Sequence, residues 1–212
     1  MNVTLNRLLK DFDVHLASGS PRRKAILNQI GLLNFSVTPS TFEENLDKAQ
    51  FAHPKDYVLA TARGKNEEVM KNLREKDPTK KIFVISADTV VVADGRILEK
   101  PATHEHAEEM LTRLNAIKRY EVYTGVILSK YDGEVLRSHE FHEGSVVEFG
   151  DISQEVIKDY AFSMEPLDKA GGYGIQGVGA SLIKKVDGCY FNVMGFPVYS
   201  FCQEVMRWLL NE

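Results

Sequence analysis

The chain reads as a mixed α/β protein with a central sheet flanked by helices, on three observations. Short apolar runs of strand length alternate with helical patterns along most of the sequence. Ile82 to Ser86 is a nearly continuous apolar run, the mark of a strand buried on both faces. Capping residues, prolines and glycines punctuate the helical segments at their ends.

Taken in order, Val14 to Ala17 forms a short strand, and Ser20 is placed to cap a helix with Pro21 at its first position. That helix carries Ala25, Ile26, Leu27 and Ile30 on its apolar face and stops at Gly31. Phe35 to Thr38 is a strand leading into a polar segment around Glu43 and Glu44. Pro54 opens a long helix through Tyr57, Val58, Ala62 and Val69, ending near Leu73. After the charged loop Glu75 to Lys81, the buried strand continues through Thr89 to Ala93 and turns at Asp94-Gly95. Thr103 caps a helix bearing Ala107, Met110, Leu111 and Leu114. Val122 to Leu128, the turn Tyr131-Asp132-Gly133, and Val135 to Phe149 read as strand, turn and long strand. Asp151 to Phe162 is a helix, Leu182 to Val186 a strand, and Pro197 to Leu210 an amphipathic helix with Val198, Phe201, Val205 and Leu209 inward. No repeat, low-complexity tract or linker interrupts the chain, so residues 1–212 are expected to form a single domain.

Composition narrows the partners. A hydrophobic content of 43% and a charged content of 26% are ordinary for a globular protein. The formal net charge of −4 argues against a general nucleic-acid binder, so any cationic site must be local. No apolar run is long enough to span a membrane, and the acidic N-terminal stretch with Asp11 and Asp13 does not read as a secretory signal. Cys189 and Cys202 lack metal-site spacing, and neither implies a disulfide framework. A cytoplasmic location is expected.

The segment Leu16-Ala17-Ser18-Gly19-Ser20-Pro21-Arg22-Arg23 combines strand end, tight turn, helix start and two cations. Backbone N–H groups and the positive helix end would converge there with two guanidinium groups, which suits a phosphate chain. A capped helix with two solvated arginines would give the same spacing. Asp88 stands where an apolar strand ends, a position from which side chains enter clefts in α/β proteins. It could ligate Mg²⁺, accept a proton from water, or simply cap the following turn. The residues Asp168 to Gly179 hold glycines at 171, 172, 174, 177 and 179, which would allow close backbone approach to a ligand. Gln176 offers donors and acceptors to a base edge. Gly172 to Gly177 spells G-x-G-x-x-G but opens no βαβ unit, so it is not a dinucleotide fingerprint.

Five separated motifs then stand in one order: Ser18-Gly19-Ser20-Pro21-Arg22-Arg23, Ala62-Arg63-Gly64-Lys65, Ser86-Ala87-Asp88-Thr89-Val90-Val91, Lys100-Pro101, and the thirteen residues Glu165 to Gly177. With them the sequence resembles the Maf family of nucleotide pyrophosphatases, from about Leu16 to Val205. The resemblance implies a Maf/inosine triphosphatase-like fold: a curved central sheet and two lobes with an active-site cleft. It implies cleavage of a nucleoside triphosphate between the α and β phosphates. It also implies Asp88 as the catalytic proton acceptor, with Glu44 as the matching acidic position, binding the metal or orienting the water opposite Asp88, and with Mg²⁺ or Mn²⁺ as the ion that Asp88 and Glu44 would hold. Lys65 and Lys100 join Arg22 and Arg23 on the polyphosphate. Ser18, Ser20, Thr89, Asp168, Lys169 and Gln176 complete the substrate-binding set, with Asp168 and Lys169 either ordering their loop or reaching the phosphates.

Arg23, Thr89 and Gln176 look like the group of the family that hydrolyses dTTP and UTP. The alternatives are the group acting on methylated guanosine triphosphate and a nucleotide-binding regulator of cell division with negligible turnover. Three positions depart from the family pattern: Gly19, Gly64 and Glu99. Gly64 is expected to cost the helix about 1 kcal/mol, loosening Lys65, and Glu99 puts an acid beside Lys100. Aromatic and apolar residues on the last helix suit a homodimer.

Overall fold

The computed structural model describes residues 2–211. Its strands are β1 (Asp13–Leu16), β2 (Phe35–Val37), β3 (Ile82–Ala93), β4 (Arg96–Leu98), β5 (Arg119–Tyr131), β6 (Leu136–Phe149) and β7 (Ile183–Asp187). They form a mixed sheet in the order β2-β1-β3-β5-β6-β7, with β4 added to β3. The helices are α1 (Asn2–Leu9), α2 (Pro21–Gln29), α3 (Pro54–Lys76), α4 (His104–Ile117), α5 (Gln154–Ala161), α6 (Tyr190–Val193) and α7 (Val198–Leu210). The mixed α/β class is therefore as the sequence predicts. Two helices, α1 and α6, are additions to that reading: one lies ahead of the first motif, and the other is a single turn. Among the described residues, no helix is long and apolar enough to cross a membrane.

Chain contacts divide the molecule into two compact units. The first holds residues up to 88, 124–143 and 195 onward. In it β1 pairs in parallel with β2 on one side and β3 on the other, so that Val14 stands opposite both Phe35 and Phe83. The long helix α3 buries Tyr57, Val58, Ala62, Val69 and Met70 on one stripe, the 3.6-residue pattern of its apolar positions. Val69 and Met70 pack with Ala17, Ile82, Val84 and Tyr131. Asn66 lies on the same stripe and is fully buried. Its side-chain amide donates to the Val84 and Ile127 carbonyls at 3.3 and 3.1 Å, and its oxygen accepts from the Ser129 hydroxyl.

At the start of α2 the structure corrects two expectations. Pro21 takes the first helical position and Ser20 has the extended backbone of a cap, but the Ser20 side chain makes no capping bond. The hydroxyl of Ser18 takes over locally, accepting from the Ser20 amide at 3.3 Å and from an Arg23 guanidinium nitrogen at 3.1 Å. Ala25 is exposed, and the inward face is Arg23, Ile26 and Leu27. An arginine has replaced an alanine on the buried side because its charge is spoken for by hydrogen bonds.

The second unit holds residues 89–123 and 144–194. Val91, Leu111, Leu114, Tyr120, Phe149, Ile157 and Tyr173 are among its core residues. Asp94 and Gly95 both adopt positive φ (49° and 68°), which a tight β3–β4 hairpin requires and which this dipeptide tolerates. The Thr103 hydroxyl accepts from the His106 amide at 3.1 Å and starts α4 as predicted. Ser153, whose hydroxyl accepts from the Val156 amide at 3.4 Å, begins α5 at Gln154 instead of Asp151.

Candidate active site

The first unit brings the acidic and basic candidates of its own residues together. Asp88, on β3, and Lys65, on α3, are each 7% exposed. The Lys65 ammonium lies 2.9 Å from an Asp88 carboxylate oxygen and 3.0 Å from a Glu44 carboxylate oxygen. A lysine here follows from the cost of burying charge: neither an isolated carboxylate nor an isolated ammonium is tolerable at this depth, whereas the pair is. Read as a solvated helix face, Arg63, Lys65, Asn66, Glu67 and Glu68 would make Lys65 unremarkable; the structure overturns that reading, because Lys65 and Asn66 are buried. Arg63 and Glu67 are exposed, Arg63 in an ion pair with Glu140.

Arg23 is also buried, with its Nε donating to the Gly195 carbonyl at 2.8 Å and a terminal nitrogen donating to Ser18. Burial pushes its guanidinium down from the usual arginine range, with Asp88 opposing that shift. Burial likewise raises the Asp88 carboxyl above its ordinary value, while Lys65 and Arg23 pull it back and Glu44 pushes it further up. The result is a carboxylate whose proton affinity exceeds that of a surface aspartate, in contact with the Lys65 ammonium. Arg22 and Ser20 lie half-buried at the opening of α2, and Glu44 remains well exposed on its loop.

Gly64 has a reason the sequence did not disclose. A Cβ there would sit 2.4–2.7 Å from three atoms of the Phe42 ring, so the glycine is the seat of that ring. The loss of helix propensity beside Lys65 is matched by a contact that fixes the loop carrying Glu44.

The second unit holds the remaining candidates. Thr89 follows Asp88 along β3 and is half-buried; Lys100 is exposed, and Pro101 behind it is buried. Glu99 contributes through its backbone, its carbonyl accepting from the Gly171 amide at 3.0 Å. Lys169 donates to the Glu165 carbonyl and lies 2.5 Å from an Asp168 carboxylate oxygen. Gln176 is exposed at the loop tip.

The glycine-rich loop closes on its own chain. The Glu165 carboxylate accepts from the Val178 and Gly179 amides at 3.0 and 3.2 Å and from the Tyr160 hydroxyl at 3.1 Å. Tyr160 in turn accepts from the Gly174 amide at 3.1 Å. A Cβ at Gly179 would meet the Gly174 carbonyl at 2.4 Å, and one at Gly174 would meet Lys169 carbons at 2.6 and 2.8 Å. The close approach expected for a ligand is thus used by the protein itself at these two positions. Tyr173 is a core residue, edge-on to Tyr120 and Phe149. Sequence reasoning missed Tyr160 and Glu165 as organisers, although Glu165 opens the thirteen-residue motif. It also missed Glu68, which lies one helical turn beyond Gly64 on the same face of α3.

Among the described residues, no group of three or more histidine, cysteine, aspartate or glutamate side chains could hold a metal ion by itself. Asp88 and Glu44 nevertheless converge on one cationic point, the Lys65 ammonium. Two carboxylates of this kind suit a hard ion that draws its other ligands from phosphate oxygens and water.

Comparison with known proteins finds relatives over most of the chain. A human protein named probable bifunctional dTTP/UTP pyrophosphatase/methyltransferase is 45% identical over 198 residues, 92% of this chain. This chain spans only 32% of that protein's length. A dTTP/UTP pyrophosphatase of Carboxydothermus hydrogenoformans is 39% identical over 195 residues, covering 92% of this chain and 98% of the relative. Among solved structures, the Ham1 protein of Staphylococcus aureus aligns with a TM-score of 0.40 and 16% identity, over 81% of this chain and 79% of that one. The family model described as Maf-like protein matches residues 13–208. The chain therefore belongs to the Maf-like protein family.

Proposed function

We propose that this chain is a nucleoside triphosphate pyrophosphatase that hydrolyses dTTP and UTP to the monophosphate and pyrophosphate. The observation that carries the reading is the buried Asp88–Lys65 pair with Glu44 and Arg23 around it, in a chain whose relatives bear that activity in their names.

In this reading Asp88 accepts a proton from the attacking water. Its raised proton affinity suits a general base, and Lys65 holds the carboxylate in one orientation through the 2.9 Å contact. The water oxygen forms a bond to phosphorus, the α–β anhydride bond breaks, and pyrophosphate departs. Arg22 and Arg23 bind phosphate oxygens, with Ser18 fixing the Arg23 guanidinium and Ser20 at the helix opening. Lys65 offsets negative charge as it develops, and Lys100 does the same on the departing pyrophosphate. Asp88 and Glu44 would hold Mg²⁺ or Mn²⁺, which would supply further charge neutralisation on the phosphates. Gln176 would read the base edge, Thr89 would add a hydroxyl contact, and Asp168 with Lys169 would keep the loop ordered. A cytoplasmic setting, with Cys189 and Cys202 as free thiols, belongs to the same proposal.

The test is pyrophosphate release from a panel of nucleoside triphosphates with Mg²⁺, including UTP, dTTP and methylated guanosine triphosphate. Release from UTP and dTTP, lost in Asp88→Asn, is the expected result. Preference for the methylated guanine nucleotide would overturn the substrate, and binding without release would overturn the reaction.

A further inference from the structure

The loop that delivers Glu44 is fastened by a residue with no contact to the cluster it serves. The Glu68 carboxylate, on α3, accepts hydrogen bonds from the Ser40 and Thr41 hydroxyls and from the Thr41 and Phe42 amides, the amides at 2.9 and 3.0 Å. The Ser40 hydroxyl also accepts from the Phe42 amide at 3.0 Å, tightening the turn. Four donors on one carboxylate fix three consecutive residues against a helix. Phe42, the last of them, lays its ring on Gly64, one turn back along the same helix. Two residues later Glu44 reaches Lys65.

We propose that Glu68 is a positioning residue for the hydrolysis, acting through the 40–42 segment and the Phe42–Gly64 contact to hold Glu44 against Lys65 and so to fix the geometry around Asp88. The helix α3 supplies three things within five residues: the seat for Phe42 at Gly64, the ammonium at Lys65 and the clamp at Glu68. The loop and the lysine are therefore registered against one rigid element. A carboxylate on an otherwise exposed loop gains a defined position without being buried itself. The inference rests on the proposed pyrophosphatase reading for its consequence, but the clamp can be measured without substrate.

The experiment uses the full chain as Glu68→Gln, Glu44→Gln, the double variant and Gly64→Ala. Glutamine keeps the size of the side chain but presents an NH₂ group to donors, so it cannot accept all four bonds. Hydrogen exchange of peptides covering 40–46 should quicken in Glu68→Gln and in Gly64→Ala, with other segments unchanged. Unchanged exchange there would overturn the clamp. Steady-state kinetics with UTP and Mg²⁺ should show kcat falling on the order of tenfold to a hundredfold in Glu68→Gln, with a smaller change in KM. In the Glu44→Gln background, Glu68→Gln should cost nothing further. Equal losses in both backgrounds would show that Glu68 does not act through Glu44 and would overturn the positioning role. Gly64→Ala is the second route. Alanine favours the helix, so a lower kcat without lower thermal stability is a signature that a merely structural role would not give. If the wild-type chain releases no pyrophosphate from UTP or dTTP, the function reading fails, and the exchange result alone decides the clamp.

Discussion

Two loops of this molecule are each tied down by one glutamate, and they are tied in opposite ways. The 40–44 segment is held from afar: its acceptor, Glu68, lies 26 to 28 residues downstream on a helix. The 174–179 segment is held from nearby, by Glu165 and Tyr160, within 14 residues on the same stretch of chain. The first fastening aims one exposed carboxylate at a buried ammonium. The second wraps a ring of backbone amides around a carboxylate and a phenol and leaves Gln176 exposed at the tip. A loop clamped to a helix takes its accuracy from that helix, whereas a loop clamped to itself can keep its shape as a unit. In the proposed reaction the first suits chemistry and the second suits recognition.

The largest expected effect sets the scale for that contrast. Asp88→Asn should lower kcat by about 10²–10⁴-fold while leaving hydrogen exchange in both loops as in the wild type. Loosened loops in that variant would mean that Asp88 holds structure, and the division between chemistry and fastening would fail. Next in size is Glu165→Ala, which strips the acceptor from the Val178 and Gly179 amides and from Tyr160. Urea unfolding should report a loss of about 1–3 kcal/mol, and discrimination of UTP from methylated guanosine triphosphate should fall more than kcat with UTP. If kcat collapses and discrimination survives, the roles of the two loops are reversed.

The smallest effect is a pH dependence. The hydroxyls of Ser40 and Thr41 hold the Glu68 carboxyl below its ordinary value of 4.5. A carboxylate whose folded value is depressed stabilises the clamp fully above the unfolded value, and that stabilisation is lost as pH falls through the folded one. The amide resonances of Thr41 and Phe42 should therefore hold steady on acidification past 4.5 and move only below it. Titration at or above that value would remove Glu68 as their acceptor. Tyr160 works differently: burial pushes its hydroxyl well up, so it stays a neutral donor to Glu165 across the same range.

The same contrast explains what the sequence disclosed. Glu165 to Gly177 is contiguous, so its composition announced a specialised loop even though the partners inside it were unread. The alternating order of elements, the buried run at Ile82 and the turn at Asp94-Gly95 depend on local pattern, and the structure has them there. Glu68 depends on a segment far away in sequence, and a helix with Arg63, Glu67 and Glu68 in a row looks solvated. Nothing local reveals that Asn66 satisfies strand carbonyls or that a ring lies on Gly64. Ser20 shows the converse limit: the right residue type stood at the cap, yet its side chain makes no capping bond, and its own amide donates to the Ser18 hydroxyl instead.

Asn66 carries one more consequence. Its side-chain amide donates to carbonyls of the adjacent strands β3 and β5, tying the helix to both. The helix is thereby indexed to the sheet like a gear tooth in a rack, and the lysine beside it inherits that index. Inserting a single residue between Lys65 and Asn66 would swing Lys65 by roughly 100° about the helix axis relative to Asn66 and strand every partner it has. Further along the same helix the tie is looser: Lys71 and Glu75 are exposed and joined only by a 3.9 Å ion pair, while Arg74 stacks on the Tyr131 ring at 4.4 Å.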